Sequence, residues 1–379
     1  MITAYLNCTI VSGGSELTGH SVLVQDDSIL DILPEGQIPS DALRVDLQGA
    51  YIAPGLIDLQ IYGSGGLLFG GVPTPEALEQ MEDDLLRQGT TGFFATVATN
   101  STAVVEQAID AALAFRPHSK GIFLGLHLEG PYLNPLRKGA HPEEFIKKAT
   151  LAEVTAWVDR AAGELKMMTI APELQDAEVI RFLDSRGVIL SCGHSNATYE
   201  EALGFLNNPV HAATHLFNAM SPVHHREPGL PAAIFEKRPY ASIIADGIHV
   251  HFGILKMAKA LLGDRLFFIT DAVTEASEGV YQHVLRGDRY TMPDGTLSGS
   301  ALTMLRSVQN GVEHAGIPLT EAVNMASLYP AELVRMNDVK GEIKKGYPAD
   351  FVVFDKTYTV RLVSFRGACA FSDLTTDLI

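Results

Sequence analysis

Several features that mark particular classes of protein are scarce or missing in this 379-residue chain. It has three cysteines, Cys8, Cys192 and Cys369, and no Cys-x-x-Cys pair, so we expect a reducing compartment and no disulfide framework. No apolar run reaches about 18 residues, the length that a transmembrane helix needs. The first residues lack a basic segment followed by an apolar one, so no secretory signal is expected. These absences together predict a cytoplasmic protein.

Positive charge is also in short supply. The 28 Lys and Arg residues are outnumbered by 45 Asp and Glu residues, and the formal net charge is −17. Nucleic acids and anionic membranes attract basic proteins, so we expect neither as a partner. An anionic small molecule would need cationic groups placed locally. Apolar residues make up 46% of the chain, which is enough for a substantial core.

The two ends of the chain have the pattern of β-rich segments. Short stretches of β-forming residues, separated by Gly, Asp and Pro, fill residues 1–53 and return in residues 341–379. Because chain termini commonly lie close together, we predict one small β-sandwich domain assembled from both segments. Residues 54–340 would then form a second, larger domain.

The central region alternates apolar strand-like runs with amphipathic helical stretches. The eight apolar runs are at residues 56–62, 91–99, 121–129, 165–173, 187–194, 211–218, 241–249 and 266–272. Strand–helix alternation indicates parallel βαβ units. Eight such units in roughly 220 to 250 residues fit a closed (β/α)8 barrel, the TIM barrel. We therefore predict an α/β protein with a TIM barrel and a small β-sandwich domain.

Four of these runs carry, at or near their carboxyl ends, a residue that can bind a metal or transfer a proton. Glu129 follows LGLHL, His194 follows SCG, His215 follows AAT and Asp271 follows FFIT. A parallel barrel gathers the carboxyl ends of its strands around one mouth, so we expect the four side chains to share a site. Each residue by itself also has an ordinary interpretation, as an ion-pair partner, a helix cap or a scaffold histidine. The combination favours a hydrolytic metal centre.

The chemistry of the four groups suggests a role for each. Glu129, His194 and His215 are predicted to hold one divalent ion per subunit. Zinc is favoured, although iron(II), cobalt and manganese accept the same ligands. Asp271 is predicted to take a proton from the activated water and to deliver it later to a leaving amine.

Polar residues also cluster in the loops that follow predicted strands three, six and seven. They are Lys138, His141, Asn218, His224, His225, Arg226, Asp246, His249 and His251. So many hydrogen-bond donors suit a polar or anionic substrate such as a phosphorylated sugar, because Arg binds phosphate through two parallel hydrogen bonds. For each loop residue taken singly, solvated surface is an equally good interpretation.

Seven segments together resemble one known family. They are PGLIDLQIYGSGG, LGLHLEGPYLNPLRKGAH, GHSNATYEEA, THLFNAMSPVHHREPGL, IIADGIHVH, ITDA and GTLSGSALTM. In this order, over nearly the whole chain, they resemble the N-acetylglucosamine-6-phosphate deacetylases of the amidohydrolase superfamily. The resemblance implies metal-dependent hydrolysis of N-acetyl-D-glucosamine 6-phosphate to D-glucosamine 6-phosphate and acetate, in amino-sugar catabolism or recycling. It also implies a homodimer.

The same resemblance implies roles for individual residues. Glu129, His194 and His215 match the metal ligands of the family, and Asp271 matches its general base and acid. Substrate contacts, with the phosphate assigned to the arginine, are implied for Ala140, His141, Asn218, Ala219, Arg226, Asp246, His249, Leu297, Ser298 and Gly299.

One position departs from the pattern of many amidohydrolases. Those proteins carry His-x-His at the end of the first barrel strand and bind two metals, whereas this chain has Gln60-Ile61-Tyr62. Neither Gln nor Tyr is a good ligand for a second divalent ion. We therefore predict a single metal ion, with Gln60 near its water.

Two alternatives stay open at this stage. The loops do not separate the glucosamine substrate from its galactosamine epimer or from another amide. A non-catalytic barrel, kept as an interaction scaffold, would have lost a metal ligand or the base. Glu129, His194, His215 and Asp271 are all present, which weighs against the scaffold.

Overall fold

The structure is a computed structural model that describes residues 1–277 and 279–374. The chain starts with five strands: β1 (Ile2–Ser12), β2 (Ser15–Thr18), β3 (His20–Gln25), β4 (Ser28–Pro34) and β5 (Leu43–Pro54). Strands and helices then alternate: β6 (Leu56–Ile61), β7 (Gly63–Ser64), β8 (Leu67–Leu68), α1 (Pro75–Arg87), β9 (Thr90–Ala98), α2 (Thr102–Phe115), β10 (Phe123–Glu129), α3 (Leu151–Ala161), β11 (Leu165–Ile170), α4 (Ala177–Ser185) and β12 (Ile189–Cys192).

The alternation continues through the second half of the chain. Its elements are α5 (Tyr199–Phe205), β13 (Ala212–Ala213), α6 (Gly229–Lys237), β14 (Tyr240–Ile244), α7 (Phe252–Leu262) and β15 (Leu266–Ile269). A small antiparallel sheet, three helices and three closing strands follow: β16 (Val284–Arg286), β17 (Arg289–Thr291), β18 (Leu297–Ser300), α8 (Met304–Glu313), α9 (Leu319–Ala326), α10 (Leu328–Leu333), β19 (Phe351–Phe354), β20 (Val360–Phe365) and β21 (Ala368–Ser372).

Strands from both ends of the chain form one sheet. Its order is β21-β20-β19-β5-β1-β3-β4, with β2 paired to β1. The amino-terminal and carboxyl-terminal strands meet where β19 pairs antiparallel with β5, with Phe351 opposite Pro54. The core of this sheet includes the fully buried side chains of Val22, Ile52 and Val353. The prediction that β-strands from the two chain ends assemble together is confirmed.

Each of the eight predicted central runs coincides with a strand to within a few residues at either end, and these strands form one sheet. Its order is β6-β9-β10-β11-β12-β13-β14-β15, and the pairs from β9 to β15 are parallel. The last strand returns to the first at the mouth, where the N–H of Asp271 donates to the carbonyl of Gln60 at 3.0 Å. The N–H of Tyr62 donates to the carbonyl of Ala272 at 2.9 Å. These bonds nearly close the sheet, which confirms the predicted (β/α)8 barrel.

The residues of the barrel strands explain this arrangement. In β9 and β10 nearly every side chain is buried, as expected for strands that are covered on both faces. The helices between strands bury one apolar face each. In α2, for example, Val105, Ile109 and Phe115 are buried, and the hydroxyl of Ser101 caps the first turn by accepting from the N–H of Val104.

Three of the four expected strand-end residues lie beyond their strands. Only Glu129 is the last residue of its strand, whereas His194, His215 and Asp271 each lie two residues past the end of theirs. All three have a positive φ, of 47°, 36° and 54°. This left-handed conformation ends the extended backbone, although the apolar sequence pattern runs on. The predicted runs at residues 187–194, 211–218 and 266–272 therefore extend two, five and three residues beyond the ends of their strands.

The chain divides into two compact units. One comprises residues 1–58, 83–92 and 303 onwards, and the other comprises residues 59–82 and 93–302. The domain boundaries at residues 54 and 340 stay a prediction. None of the helices in the described part of the chain has the length and apolar character that crossing a bilayer requires.

Candidate active site

A cavity opens at the carboxyl ends of the barrel strands. Its walls include all four of the residues selected at the strand ends, Glu129, His194, His215 and Asp271. Eight other residues that were expected at the site also line it: Ala140, His141, Asn218, Ala219, His249, Leu297, Ser298 and Gly299. All these residues belong to the unit of residues 59–82 and 93–302.

Glu129, His194 and His215 converge in this cavity, and each is at most 5% exposed. The Nε2 of His215 lies 2.9 Å from Oε1 of Glu129 and 3.1 Å from Nε2 of His194. The Nε2 of His194 is 3.4 Å from the same carboxylate oxygen. With metal–nitrogen bonds of about 2.0–2.1 Å, a tetrahedral zinc ion would hold its ligand atoms about 3.3 Å apart. The three atoms therefore have the spacing of three ligands of one ion.

A hydrogen bond determines which nitrogen of His194 faces the other two ligand atoms. Its Nδ1 is 2.8 Å from the carbonyl oxygen of Arg137. Since a carbonyl only accepts, Nδ1 donates its proton there, which leaves Nε2 as the ring nitrogen that faces Glu129 and His215. Burial lowers the pKa of His215, which favours the neutral form of that ring. Two imidazole nitrogens and one carboxylate oxygen around a single point are a donor set that fits a divalent metal.

His141 brings a third imidazole to the same carboxylate. Its Nε2 is 3.1 Å from Oε2 of Glu129, and Glu129, His141 and His194 also satisfy the spacing of a metal site. Two overlapping sets of three therefore share Glu129 and His194. The two sets differ in the carboxylate oxygen that they use. The Nε2 atoms of His194 and His215 both approach Oε1 of Glu129, whereas the Nε2 of His141 approaches Oε2.

Glu129 is negatively charged in this setting. Burial would raise the pKa of its carboxyl, but the charge of His141 and hydrogen bonds from the surrounding histidines outweigh burial and hold the pKa well below its usual range. Tyr62 is the opposite case, because burial and then the charges of Glu129 and Asp271 raise the pKa of its phenol well above the usual value. The protonated phenol donates to Oε2 of Glu129 at 2.5 Å.

Asp271 lies beside this cluster and is connected to it by two side chains. Its Oδ1 accepts a hydrogen bond from Nε2 of Gln60 at 2.8 Å and lies 3.3 Å from the hydroxyl of Tyr62. The same Gln60 nitrogen is 3.0 Å from Oε1 of Glu129. Gln60 and Tyr62 thus fix the Asp271 carboxylate next to the three ligand atoms.

His194, His215 and Asp271, which all have a positive φ, lie together at this mouth. Such conformations of residues other than glycine cost roughly 1–3 kcal/mol each and persist where surrounding contacts enforce them. The N–H of His215 donates to Oγ of Ser242 at 2.8 Å, and the carbonyl of His194 accepts from the N–H of Asn134 at 2.9 Å. This strain turns each side chain out of its strand and towards the cavity.

A second acid–imidazole pair holds His249 in the wall. Its Nδ1 lies 2.6 Å from Oδ2 of Asp246, and the N–H groups of Ile248 and His249 donate to the other oxygen at 2.9 and 2.8 Å. These bonds and the charge of His249 outweigh burial and lower the pKa of Asp246. Asp246 is not among the described lining residues, so its contact with the cavity is through His249.

Arg226 is the one expected cationic contact, and it does not line the cavity. It is exposed on the loop before α6 and lies outside the described walls. Lys138 is paired with Glu143 at 2.9 Å. None of the described lining residues is Lys or Arg, so the walls described supply hydrogen bonds but no permanent positive charge.

Several lining residues escaped the sequence reasoning. Tyr281 and His283 are buried in the wall, although they come from a segment without a strand pattern. The only signal was alternation in VYQHV, which places both residues on one face of an extended segment. Tyr62 was noticed as a poor metal ligand, and its role as a hydrogen-bond donor was not.

A (β/α)8 barrel with a buried carboxylate and imidazoles at its strand ends defines a metal-dependent hydrolase. The sequence agrees with this class. Residues 51–378 match the model of the Amidohydrolase family, and residues 3–52 match the NagA composite domain. The chain belongs to the amidohydrolase family and, within it, groups with the N-acetylglucosamine-6-phosphate deacetylases.

Two curated relatives illustrate this grouping. The N-acetylglucosamine-6-phosphate deacetylase of Haemophilus influenzae is 34% identical, over 94% of this chain and 96% of its own length. The N-acetylgalactosamine-6-phosphate deacetylase of Escherichia coli O157:H7 is 30% identical, over 93% of this chain and 95% of its own length. Relatives thus include deacetylases named for each of the two epimeric sugars.

Solved structures lead to the same grouping. The N-acetylglucosamine-6-phosphate deacetylase from Pasteurella multocida superimposes with a TM-score of 0.93 at 33% identity, covering 97% of this chain and 99% of the other. A mutant of the N-acetyl-D-glucosamine-6-phosphate deacetylase from Mycobacterium smegmatis, in complex with N-acetyl-D-glucosamine-6-phosphate, gives a TM-score of 0.90 at 28% identity. The match covers 98% of this chain and 99% of the other.

Proposed function

We propose that this protein hydrolyses N-acetyl-D-glucosamine 6-phosphate to acetate and D-glucosamine 6-phosphate. One observation carries the proposal: Glu129, His194, His215 and Asp271 line a single cavity in a chain that is 34% identical, nearly end to end, to a deacetylase of this name. Incubation of the purified protein with this sugar phosphate should release acetate and a free amine in equal amounts. A metal-loaded preparation that releases neither would refute the proposal.

In this proposal Glu129, His194 and His215 hold one divalent ion, with zinc preferred. His215 is chosen over His141 because its Nε2 approaches the same carboxylate oxygen as His194 does, which lets three atoms surround one point. When bound, the ion would polarise the acetyl carbonyl and make water nucleophilic near neutral pH. The remaining steps depend on side chains of the protein.

Asp271 moves the proton. Its carboxylate takes a proton from water as the water oxygen bonds to the acetyl carbon. When the carbon–nitrogen bond breaks, the same proton goes to the amine nitrogen, so amide and water become amine and acetic acid, and the acid's proton then passes to the amine to give ammonium and acetate. Nε2 of Gln60 holds Oδ1 of Asp271 in place through a hydrogen bond of 2.8 Å, and the hydroxyl of Tyr62 lies 3.3 Å from the same oxygen.

The remaining wall would bind the sugar. His141, at 3.1 Å from Glu129, lies close enough to the ligand cluster to contact the acetamido group or a hydroxyl next to it. His249 is oriented by Asp246, and its second ring nitrogen can bond the substrate. Backbone and side-chain groups of the other lining residues complete the set: Ala140, Asn218, Ala219, Leu297, Ser298 and Gly299.

Arg226→Ala tests the assignment of the phosphate. We expect KM for the phosphorylated sugar to rise at least about tenfold with kcat nearly unchanged, since hydrogen bonds to charged groups are worth about 1.5–3 kcal/mol. Kinetics on phosphorylated and unphosphorylated N-acetylglucosamine would measure it, with exposed Arg186→Ala as the control. If the variant keeps the full preference for the phosphorylated sugar, Arg226 does not bind the phosphate.

Metal analysis tests the single-ion prediction. Protein purified without chelator should contain about one equivalent of divalent metal per chain, because Gln60 stands where a histidine would be needed for a second ion. The amide nitrogen of Gln60 is already engaged with Oδ1 of Asp271 and Oε1 of Glu129. Two equivalents per chain in a metal-replete preparation would contradict a mononuclear site.

A second candidate substrate is N-acetylgalactosamine 6-phosphate. The named activity of the Escherichia coli O157:H7 relative favours it, although that relative is less similar than the Haemophilus influenzae one. Comparing kcat/KM on the two epimers decides between them. A homodimer in the cytoplasm completes the proposal, and light scattering during gel filtration would distinguish one chain from two.

A further inference from the structure

His283 lines the cavity but has no part in the steps described above. It lies directly before β16, in the segment that connects Asp271 to the small antiparallel sheet of β16, β17 and β18. Its side chain is only 5% exposed, so an imidazole is buried here against the space that the substrate would fill.

Three contacts fix the orientation of this ring. Its Nδ1 is 3.0 Å from Oγ of Ser298, one of the residues expected to contact substrate. The ring stacks on Tyr281 at 5.9 Å between centroids, and Tyr290 meets its edge at 6.5 Å. The backbone carbonyl of His283 accepts from the N–H of Ala276 at 3.2 Å. The imidazole is therefore held in place before any substrate arrives.

The other ring nitrogen has no such bond. Within residues 1–277 and 279–374, Nε2 of His283 makes no hydrogen bond. Burial lowers the pKa of His283 to about 4, so the ring is neutral at pH 7. A neutral ring with Nδ1 engaged offers Nε2 as one donor or one acceptor. A phenylalanine would also pack between the tyrosines but would offer no hydrogen bond, so the imidazole adds a hydrogen-bonding nitrogen to the cavity wall.

We infer that His283 recognises the 4-hydroxyl group of the sugar and thereby sets the preference between the gluco and galacto epimers. This inference rests on the proposed function. A neutral donor or acceptor suits a hydroxyl better than a phosphate, which recruits cationic groups. The two epimers differ only in the configuration at C4, so one hydrogen bond at that position discriminates between them.

The arrangement of rings along the wall favours C4 over the other hydroxyls. A series of ring contacts connects the ligand cluster to His283. The ring centroids are 4.3 Å apart between His194 and His141, 6.2 Å between His141 and Tyr281, and 5.9 Å between Tyr281 and His283. The acetamido group on C2 must lie at the cluster for hydrolysis. Among the hydroxyls on C1, C3 and C4, the one on C4 is farthest from C2.

The test uses His283→Phe and three substrates, the gluco sugar phosphate, its 4-deoxy analogue and the galacto epimer. We expect kcat/KM on the gluco sugar to fall about tenfold, the effect of one lost neutral hydrogen bond. On the 4-deoxy analogue and the galacto epimer the variant should match the unmodified protein. Exposed His118→Phe is the matched control. Equal losses on all three sugars, or no loss on the gluco sugar, would overturn the inference.

A measurement on the unmodified protein covers the case in which His283→Phe does not fold. Its kcat/KM should fall about tenfold from the gluco sugar to the 4-deoxy analogue, and equal values would reject recognition of the 4-hydroxyl. His283→Gln supplies a side-chain amide that can form the same hydrogen bond. It should therefore recover part of the activity on the gluco sugar that His283→Phe loses, which loss of packing alone does not predict. If the unmodified protein hydrolyses none of the sugars, the proposed function fails instead.

Discussion

Asp271→Asn is expected to lower kcat on N-acetylglucosamine 6-phosphate by about 10²–10⁴-fold, the usual value of a general acid–base group. Asparagine has nearly the same shape, and its carbonyl oxygen can still accept from Gln60 as Oδ1 of Asp271 does. It cannot take a proton from water. Metal content and substrate affinity should therefore stay close to those of the unmodified protein.

Three measurements on the same preparation separate this result from misfolding. Steady-state kinetics give kcat, mass spectrometry gives the metal content and calorimetric titration gives the affinity for the sugar phosphate. Asp288→Asn changes an exposed aspartate in the same way and should leave all three values unchanged. Turnover by Asp271→Asn within threefold of the unmodified rate would remove Asp271 from the mechanism.

Glu129→Gln should give the second large effect, loss of the metal together with activity. The Nε2 atoms of His194 and His215 both approach Oε1 of Glu129, so this oxygen completes the proposed ligand set. Glutamine has almost the same size but no charge, and a neutral amide is a much poorer ligand for a divalent ion. We expect bound metal to fall from about one equivalent to less than about a tenth.

Thermal unfolding gives an independent test of Glu129→Gln. An ion present at 100 times its Kd stabilises the folded state by about 2.7 kcal/mol, so added zinc should raise the Tm of the unmodified apoprotein. The variant should show no such rise, while the exposed Glu200→Gln control should respond fully. A Glu129→Gln protein that retains one equivalent of metal would show that Glu129 is not a ligand.

Much of the fold was predictable because the physical signals were local and repeated. Strands covered on both faces appear in the sequence as continuous apolar runs. Six of the eight barrel strands lie within the predicted runs, and β9 and β14 begin one residue before theirs. Glu129, His194, His215 and Asp271 stood out for a related reason, because a polar group directly after an apolar run is costly unless it has a partner. The alternation of strands and helices then placed all four at one end of a barrel.

Other parts of the site left little trace in the sequence. Positive φ at His194, His215 and Asp271 comes from contacts with residues that are distant in sequence, such as the bond between Asp271 and the carbonyl of Gln60. Tyr281 and His283 reach the cavity from a segment whose course depends on the small sheet of β16, β17 and β18. Arg226 was selected by its charge, and the loop that carries it leaves it exposed.

The sequence by itself determined the number of barrel strands, the end of the barrel that carries the site and the chemical types of the catalytic groups. These depend on side-chain pattern and on short stretches of chain. The tertiary structure decided which nitrogen of His194 is free, how Gln60 and Tyr62 join Asp271 to Glu129, and which face His283 presents. Hydrogen bonds between residues far apart in the chain set these features, and they exist only once the barrel has closed.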